Sequence, residues 1–429
     1  MEFDLPAFVS RLLEFETVDG READAQRWLR RRLDALGFDT YEWTADAIRL
    51  SEHPSFPDDP AAIDVRDRPS VGGVLEFGDP DAGRTLVLNG HVDVVPADEE
   101  RWETDPFEPV WSDDDGNRRL TARGAVDMKS GLGACLGAAL DVRQRVTDGS
   151  GTVPLDGRVV VESVVGEEEG GIGAAAAALE NPYPFARDAA IVAEPTRLRP
   201  VVASEGSLMV RLRLEGRSAH AATRWAGESV LPHFERIRQA LEEFEADRAA
   251  RVNHPLYEEY PVPWPVVVGT VRSGSWASTV PSGLTAHLRV GVAPGETVDA
   301  VEAELRETVR RVAMADPWTA EHPPSLERFS VQFEPCEIDP EEPIVRAIQC
   351  GIDAAGLSAG HREPRGVTYG ADVRHLVDAG IPAVLFGPGD VLRAHFPGES
   401  IAWSEVETAR KAIGEAAVQF LREESDVVS

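Results

Sequence analysis

Histidine and aspartate side chains stand directly after a predicted buried strand of this 429-residue chain. Residues 86–88 are an apolar run typical of such a strand, and His91 and Asp93 follow it closely. A second carboxylate, Asp127, precedes a stretch with helical character. Imidazole and carboxylate without thiolate are ligands that suit catalytic zinc. A metal-bound histidine usually donates its other ring N–H to a carboxylate, and Asp93 is near enough to accept from His91. The stretch therefore predicts a metal site.

The same pattern recurs at three other predicted strands. Each is followed by a carboxylate or a histidine: residues 158–165 by Glu167 and Glu168, residues 189–193 by Glu194, and residues 381–386 by His395. In open α/β sheets, ligands bind beyond the carboxyl ends of the strands. We therefore expect these side chains to converge at one edge of a sheet.

The elements that position these residues form two groups along the chain. Strands that alternate with helices over residues 1–205 and 337–429 predict an α/β domain with a mostly parallel sheet. Between them, residues 206–336 follow the order β-α-β-β-α-β, which matches the ferredoxin-like split unit. This segment is predicted to be a separate small domain inserted into the first. Residues 96–119 are interpreted as a long acidic loop, and loops of that length are often functional.

Acidic residues outnumber basic ones along the whole chain. There are 75 of them against 43 lysines and arginines, which gives a formal net charge of −32. This charge argues against nucleic acid as a partner, because phosphate groups would be repelled. In molar salt the Debye length falls to about 3 Å, so the self-repulsion of such a chain is screened. We therefore predict a halophilic protein.

The cysteines and the N-terminus bear on the compartment. Cys135, Cys336 and Cys350 are widely spaced and contain no Cys-x-x-Cys pair, so neither a disulfide framework nor a thiolate metal site is supported. The first residues lack the features of a secretory signal. No stretch approaches the roughly 20 apolar residues of a membrane helix. These features predict a cytoplasmic protein without a membrane partner.

Seven short motifs connect the candidate residues to a known family. They are, in chain order, HVDVVP, ARGAVDMKSG, GEEEGGIGA, AEPT, GRSAH, YGADVR and GPGDVLRAH. From His91 to the C-terminal helix, the chain resembles the di-zinc deacylases and peptidases that include acetylornithine deacetylase, succinyl-diaminopimelate desuccinylase, aminoacylase and glutamate carboxypeptidase. The resemblance implies a zinc-peptidase-like catalytic domain and an inserted lid through which a homodimer forms. It also implies two divalent metal ions, most readily zinc, for which cobalt or manganese can substitute.

The resemblance further assigns roles at the metal centre. Asp127 would bridge the two ions, with the remaining ligands divided between them: His91 and Glu194 at one ion, Glu168 and His395 at the other. Glu167 would be the general base that takes a proton from water and passes it to the departing amine. Asp93 would be a second catalytic residue, because it would accept the ring N–H of His91 and so orient this ligand.

Three more residues are implied near the substrate. His220 corresponds to a histidine that reaches the active site of the partner subunit and stabilises the oxyanion. The proline that usually follows this histidine is absent here, which is a departure from the family. Arg289 resembles a position near the substrate carboxylate, with a strand-edge arginine as the alternative, and Gly370 would shape the backbone there.

The resemblance implies an amidohydrolase that removes an acetyl or succinyl group from an N-acyl amino acid. A metallopeptidase acting on a dipeptide or a C-terminal residue would use the same metal core, so the core does not separate the two. A binding protein that keeps the fold without turnover is a third reading, and an intact Glu167 beside a full ligand set argues against it. For the three consecutive glutamates at residues 167–169, the alternative to a functional site is a solvated acidic surface. The preceding strand and the following glycines disfavour that alternative.

Overall fold

The computed structural model describes residues 3–114, 116–147 and 154–422. Its strands are β1 (Asp39–Trp43), β2 (Ser70–Phe77), β3 (Arg84–His91), β4 (Val110–Asp114), β5 (Asn117–Thr121), β6 (Gly157–Val164), β7 (Ala189–Val192), β8 (Val201–Ser204), β9 (Gly206–Glu215), β10 (Val266–Ser273), β11 (Gly283–Val292), β12 (Ser325–Arg328), β13 (Cys336–Glu337), β14 (Arg365–Val367), β15 (Ala383–Leu385) and β16 (Ser400–Ala402). Its α-helices are α1 (Leu5–Leu13), α2 (Ala23–Ala35), α3 (Ala47–Ser51), α4 (Lys129–Thr147), α5 (Ile172–Leu179), α6 (Val230–Arg251), α7 (Val298–Met314), α8 (Pro317–Glu321), α9 (Pro343–Ala355), α10 (Val373–Asp378) and α11 (Trp403–Arg422). The predicted ranges 1–205 and 337–429 include residues 1–2, 115, 148–153 and 423–429, which lie outside the described residues.

The largest sheet has nine strands, and its centre is parallel. The strand order is β1-β2-β6-β3-β7-β15-β8-β13, with β14 paired to β8. Strands β6, β3, β7 and β15 run parallel to one another. On either side of them the pairing is antiparallel, between β2 and both β1 and β6, and between β15 and β8. The prediction of an α/β fold with a mostly parallel central sheet is confirmed.

Both faces of this sheet are covered, which explains the unbroken apolar runs of its strands. Along β3, Leu86 and Leu88 belong to the main core with residues of α1, α4, α9 and α11. The residue between them, Val87, belongs to a second core with residues of α10. Successive side chains of a strand point to opposite faces, so one apolar run supplies both layers. The carboxyl end of β3 is thereby held rigidly between two helical layers.

A second sheet is built from the predicted β-α-β-β-α-β segment. It has four antiparallel strands in the order β10-β11-β9-β12. Side chains of α6 and α7 pack on it, and the shared core includes Leu212, Leu288, Ile237 and Leu305. Strand β9 begins two positions after β8 of the large sheet ends. Cys336, the last residue of the predicted insertion, instead pairs with Ser204 in the large sheet.

The long connection at residues 96–119 contains more structure than predicted. Strand β4 and the start of β5 form a hairpin there, and β16 joins it as a third strand. The hairpin is fixed by packing, since the Trp111 ring lies edge-on to Trp403 with centroids 4.9 Å apart. This distant aromatic partner is not visible in the local sequence pattern, so the interpretation as a loop was wrong for residues 110–119.

The cysteine thiols are free at all three positions. Within the described part of the chain, no helix combines the length and apolar character needed to cross a membrane.

Candidate metal centre

Parallel strands bring the predicted ligands to one edge of the large sheet. Strand β3 lies between β6 and β7, and all three run in the same direction. His91 is the last residue of β3, while Glu168 and Glu194 follow the ends of β6 and β7. The strand ends therefore place an imidazole between two carboxylates, as the sequence pattern predicted.

The first group of potential ligands consists of His91, Asp127 and Glu194. His91 Nε2 lies 3.1 Å from Asp127 Oδ1 and 3.9 Å from Glu194 Oε1. The His91 and Glu194 side chains are nearly inaccessible to solvent, with exposed fractions of 1% and 5%. One cation could be held here away from bulk water.

The second group consists of Asp127, Glu168 and His395. His395 Nε2 lies 3.0 Å from Glu168 Oε1 and 3.4 Å from Asp127 Oδ2. Asp127 thus directs Oδ1 toward His91 and Oδ2 toward His395, which is the arrangement of a carboxylate shared by two cations. The His395 side chain is 49% exposed, so the second group is the side that a substrate can approach.

His395 is held in an unusual backbone conformation. Its φ is +62°, in the left-handed region that side chains with a Cβ rarely adopt. Such strain persists where the surroundings fix it, and it concentrates at functional sites. The carbonyl of His395 accepts a hydrogen bond from Arg123 Nη2 at 3.4 Å. This contact helps to orient the imidazole toward Asp127.

The electrostatics of the two groups fit divalent cations. Burial opposes the charge of His91, but the hydrogen bond with Asp127 and the nearby carboxylates outweigh it and raise the pKa of His91 well above its usual value. Burial, and then the charge of Asp127, raise the pKa of Glu194. Among the described residues, Glu194 Oε1 has no hydrogen-bond partner although it is buried. Crowded carboxylates with uncommitted oxygens and two imidazoles are a donor set that divalent cations satisfy.

Asp93 supports this centre differently from the prediction. His91 Nδ1 is 2.9 Å from the backbone carbonyl of Asp93 and 3.6 Å from its carboxylate Oδ1. The ring N–H is therefore donated to the carbonyl. The carboxylate Oδ2 accepts the backbone N–H of Glu168 at 3.0 Å. Asp93 thus connects the two groups, because its carbonyl orients His91 and its carboxylate orients the backbone of Glu168.

Glu399 is a supporting residue that no sequence pattern indicates. It is buried, and its Oε1 accepts the backbone N–H groups of Val126 and Asp127 at 2.7 and 3.1 Å. Its Oε2 pairs with the buried guanidinium of Arg123 at 2.7 Å. Since Arg123 also bonds to the carbonyl of His395, this ion pair contacts two of the three chain segments of the second group, those of Asp127 and His395.

Replacing Glu399 with glutamine is expected to weaken metal binding by about 10- to 100-fold, the usual effect of losing a residue that orients ligands. An amide offers one acceptor oxygen, so it cannot serve Asp127 and Arg123 together. Titration against a competing chelator measures the affinity. Glu415→Gln on α11, which disturbs contacts of Glu415 with Arg145 and Gln419, is the control. Unchanged affinity in Glu399→Gln would show that Glu399 is dispensable for the ligand geometry.

The loop that carries the three consecutive glutamates is anchored by its third member. Glu169 accepts hydrogen bonds from Arg68 at 2.9 and 3.2 Å. Arg68 is buried and also pairs with the buried Glu22. Glu169 thus holds the loop beside the metal centre.

Glu167 lies in this loop but belongs to neither ligand group. It is 8% exposed, and burial raises the pKa of its carboxyl well above the usual value, with Asp372 and the other carboxylates adding to the effect. The chain turns sharply at Gly171, where φ is +78° and a Cβ would lie 2.3 Å from Asp372 Oδ1. Glycine is required there, which explains the Gly-Gly pair after the glutamates. A buried carboxyl beside the ligands is well suited to hold a proton.

The remaining predicted residues belong to neither of the two groups. His220 is exposed at the start of a short 3₁₀ turn, and its Nδ1 accepts the N–H of Ala222 at 3.1 Å. Arg289 Nη1 pairs with the buried Glu205 at 3.1 Å, and its Nη2 donates to the carbonyl of Thr368 at 3.3 Å. Gly370 packs so closely on Phe333 that a Cβ would lie 2.3 Å from its ring. The roles of these three residues toward a substrate stay predictions.

The fold and the paired ligand groups together define a metal-dependent hydrolase. The model of peptidase family M20/M25/M40 matches residues 87–419. The chain belongs to this family, whose members bind two divalent metal ions, and it is an amidohydrolase.

Individual relatives of the chain carry different activities. The chain is 27% identical to the N-formyl-4-amino-5-aminomethyl-2-methylpyrimidine deformylase of Bacillus subtilis, over 90% of this chain and 87% of that protein. It is 28% identical to the acetylornithine deacetylase of Myxococcus xanthus, over 98% and 99%. Its fold matches a tripeptidase of Staphylococcus aureus with a TM-score of 0.71, 19% identity and 98% coverage of both chains. These names span deacylases and peptidases.

Proposed function

We propose that the protein hydrolyses the amide bond of an N-acyl amino acid and releases an acetyl or succinyl group. The observation that carries the proposal is Asp127, shared between two histidine–carboxylate groups beside Glu167, a carboxyl that belongs to neither. Similarity to an acetylornithine deacetylase along almost the whole chain supports this substrate class.

The chain's own residues supply binding and proton transfer. His91, Asp127 and Glu194 would hold one divalent cation, and Asp127, Glu168 and His395 the other, with zinc favoured and cobalt or manganese as substitutes. Bound cations supply Lewis acidity toward the amide carbonyl and the attacking water. Glu167 takes a proton from that water and delivers it to the leaving nitrogen. The raised pKa of the buried Glu167 carboxyl favours holding the proton between these two transfers.

A substrate panel tests the proposal. Zinc- or cobalt-loaded protein in high salt is assayed on acetylated and succinylated amino acids, dipeptides and tripeptides. We expect acyl amino acids to give the largest kcat/KM. Preference for a peptide would support the metallopeptidase alternative, which the fold match to a tripeptidase accommodates. If the metal-loaded protein hydrolyses no substrate of the panel, the result would favour the alternative of a binding protein with the same fold.

The proposal includes a homodimer formed through the insertion at residues 206–336. Strand β10 lies at the edge of the four-stranded sheet. On it, Val267 and Val271 are 48% and 47% exposed. An exposed apolar edge strand is a template for pairing with another chain. A dimer built there would present the exposed His220 to a partner subunit.

Replacing His220 with alanine is expected to cut turnover by about 10²–10³-fold, the usual effect of losing one oxyanion donor, while metal content stays unchanged. Mixing His220→Ala with Glu167→Gln after dissociation and reassociation should restore about one quarter of the wild-type activity, since half of the dimers are mixed and each holds one intact site. No recovery in demonstrably mixed dimers would place His220 in its own subunit's site or outside catalysis.

The net charge of −32 leads us to propose that the protein works in high salt. Dialysis from molar salt into dilute buffer without divalent metal is expected to unfold it, because screening of the acidic surface is lost. Tryptophan fluorescence and far-UV circular dichroism would follow the loss. Full stability after dialysis would contradict the halophilic prediction. The three free cysteines fit our proposal of a cytoplasmic location.

A further inference from the structure

A cavity of about 410 Å³ adjoins the metal centre. Pro195 and Thr196, which directly follow the ligand candidate Glu194, form one side of it. Residues 390–392, shortly before His395, form another. Thr196 and Asp390 are joined by a backbone bridge, so the two ligand-bearing segments meet at this cavity. We call it the Thr196 recess. Its volume falls within the range of small-molecule sites.

Three arginines line the Thr196 recess, and two of them have partners there. Arg197 pairs with Asp390 at 2.6 Å, and Arg365 pairs with Glu259 at 2.6 Å. Their charges are therefore largely neutralised within the wall.

Arg199 is the arginine whose charge remains available. It is half-buried, and among the residues that the structure describes it has no hydrogen-bond or ion-pair partner. In a chain with 32 more acidic than basic side chains, most buried or half-buried arginines are expected to find a carboxylate. A guanidinium that has none inside a cavity beside a metal centre is suited to an anionic group of a ligand.

Tyr369 contributes a second donor to the Thr196 recess. Its hydroxyl is buried, and within the described chain it has no hydrogen-bond partner. The residue is held in place by its backbone, since the carbonyl accepts from Ser204 Oγ at 2.6 Å. Burial, followed by the charges of Glu194 and Asp127, raises the pKa of the Tyr369 hydroxyl well above its usual value, so the hydroxyl stays protonated and able to donate. An orphaned buried hydroxyl calls for a partner, and an acceptor on the ligand supplies one.

Arg289, the residue that family resemblance places near a substrate carboxylate, is already committed. Its guanidinium contacts the Glu205 carboxyl at 3.1 Å and donates to the carbonyl of Thr368, the residue before Tyr369. It therefore braces the loop that carries Tyr369. A different cationic side chain is therefore needed to recognise a substrate anion.

We propose that the Thr196 recess binds a carboxylate of the substrate, through an ion pair with Arg199 and a hydrogen bond from Tyr369. The inference rests on the proposed amide hydrolysis and makes its substrate class more specific. Two parts of an N-acyl amino acid can supply the carboxylate: the distal end of a dicarboxylic acyl group such as succinyl, or the α-carboxylate of the amino acid.

Two matched substrate pairs distinguish these sources in the metal-loaded enzyme. The first pair compares N-succinyl with N-butanoyl ornithine, which differ in the distal carboxylate. The second compares N-acetylornithine with its decarboxylated amine, which differ in the α-carboxylate. The variants are Arg199→Met, Arg199→Lys and Tyr369→Phe. Arg362→Met is the control, since Arg362 lies outside the recess in a pair with Asp353 at 2.6 Å.

Arg199→Met is expected to lower kcat/KM by about 10- to 100-fold on the carboxylate-bearing member of one pair and by less than about 3-fold on its neutral partner. Arg199→Lys should retain part of the preference for the carboxylate-bearing member. Tyr369→Phe should lower kcat/KM on that member by about 2- to 10-fold. Arg362→Met should leave both ratios at the wild-type value.

For each pair, the ratio compares kcat/KM on the carboxylate-bearing member with kcat/KM on its neutral partner. The pair whose ratio falls in Arg199→Met identifies which carboxylate the recess holds. Ratios that Arg199→Met leaves unchanged in both pairs, in a variant with wild-type melting temperature and turnover of the neutral substrates, overturn the recess proposal while the amidohydrolase proposal stands. Failure of the wild-type enzyme on every member of both pairs would instead overturn the proposed function itself.

Discussion

Replacing Asp127 with alanine is expected to remove metal from both sites at once and to abolish turnover. The reason is that Oδ1 of this residue faces His91 at 3.1 Å while Oδ2 faces His395 at 3.4 Å, so one side chain serves both ligand groups. Without it, each group keeps one imidazole and one carboxylate, which are too few ligands for a tight divalent site.

Metal content after extensive dialysis, measured by plasma emission, tests the expectation for Asp127→Ala. The wild type should retain about two ions per chain and the variant close to none. Asp141→Ala is a matched control on the helix that follows, because Asp141 pairs only with Arg410 on α11. Should Asp127→Ala keep its full metal content, the shared carboxylate would have to be another residue.

Replacing Glu167 with glutamine is expected to leave both metals bound and to lower kcat by about 10²–10⁴-fold. The isosteric amide cannot accept a proton from water, yet it fills the same buried space. Glu167 lies outside both ligand groups, whereas its neighbour Glu168 lies 3.0 Å from His395. Adjacent carboxylates therefore carry different functions.

A comparison with Glu168→Gln separates loss of metal binding from loss of proton transfer. That variant should lose affinity for one metal, while Glu167→Gln should lose turnover at full occupancy. Glu180→Gln, at the exposed end of α5 in a pair with Arg49, controls for a simple loss of charge. Loss of metal from Glu167→Gln would show that it is a ligand and that the proton is carried by another group.

The sequence was sufficient to predict which side chains meet at one edge of the large sheet. Apolar strands followed by His91, Glu168 and Glu194 imply a common sheet edge, because parallel neighbouring strands must end together. The order β-α-β-β-α-β between β8 and β13 likewise predicted the second sheet. Both inferences depend on periodicity and chain order, which are local properties of a sequence.

Contacts between distant segments were decided only by the tertiary structure. Local spacing assigned the Asp93 carboxylate to His91, but the folded chain donates the imidazole N–H to the carbonyl and gives the carboxylate to Glu168. Glu399 supports Asp127 from 272 positions away, and no pattern near either residue indicates this. Such pairings depend on the relative positions of elements after packing.

Packing also decides which arginine could bind a substrate anion. Sequence resemblance selects Arg289, while the folded chain engages it with Glu205 and Thr368 and leaves Arg199 without a partner among the described residues. Chain order alone predicted that His91, Glu168 and Glu194 share one sheet edge, since they follow strand ends that the sheet must align. Which arginines remain available for a substrate was decided by three-dimensional pairing, because packing determines which carboxylates compensate their permanent charge.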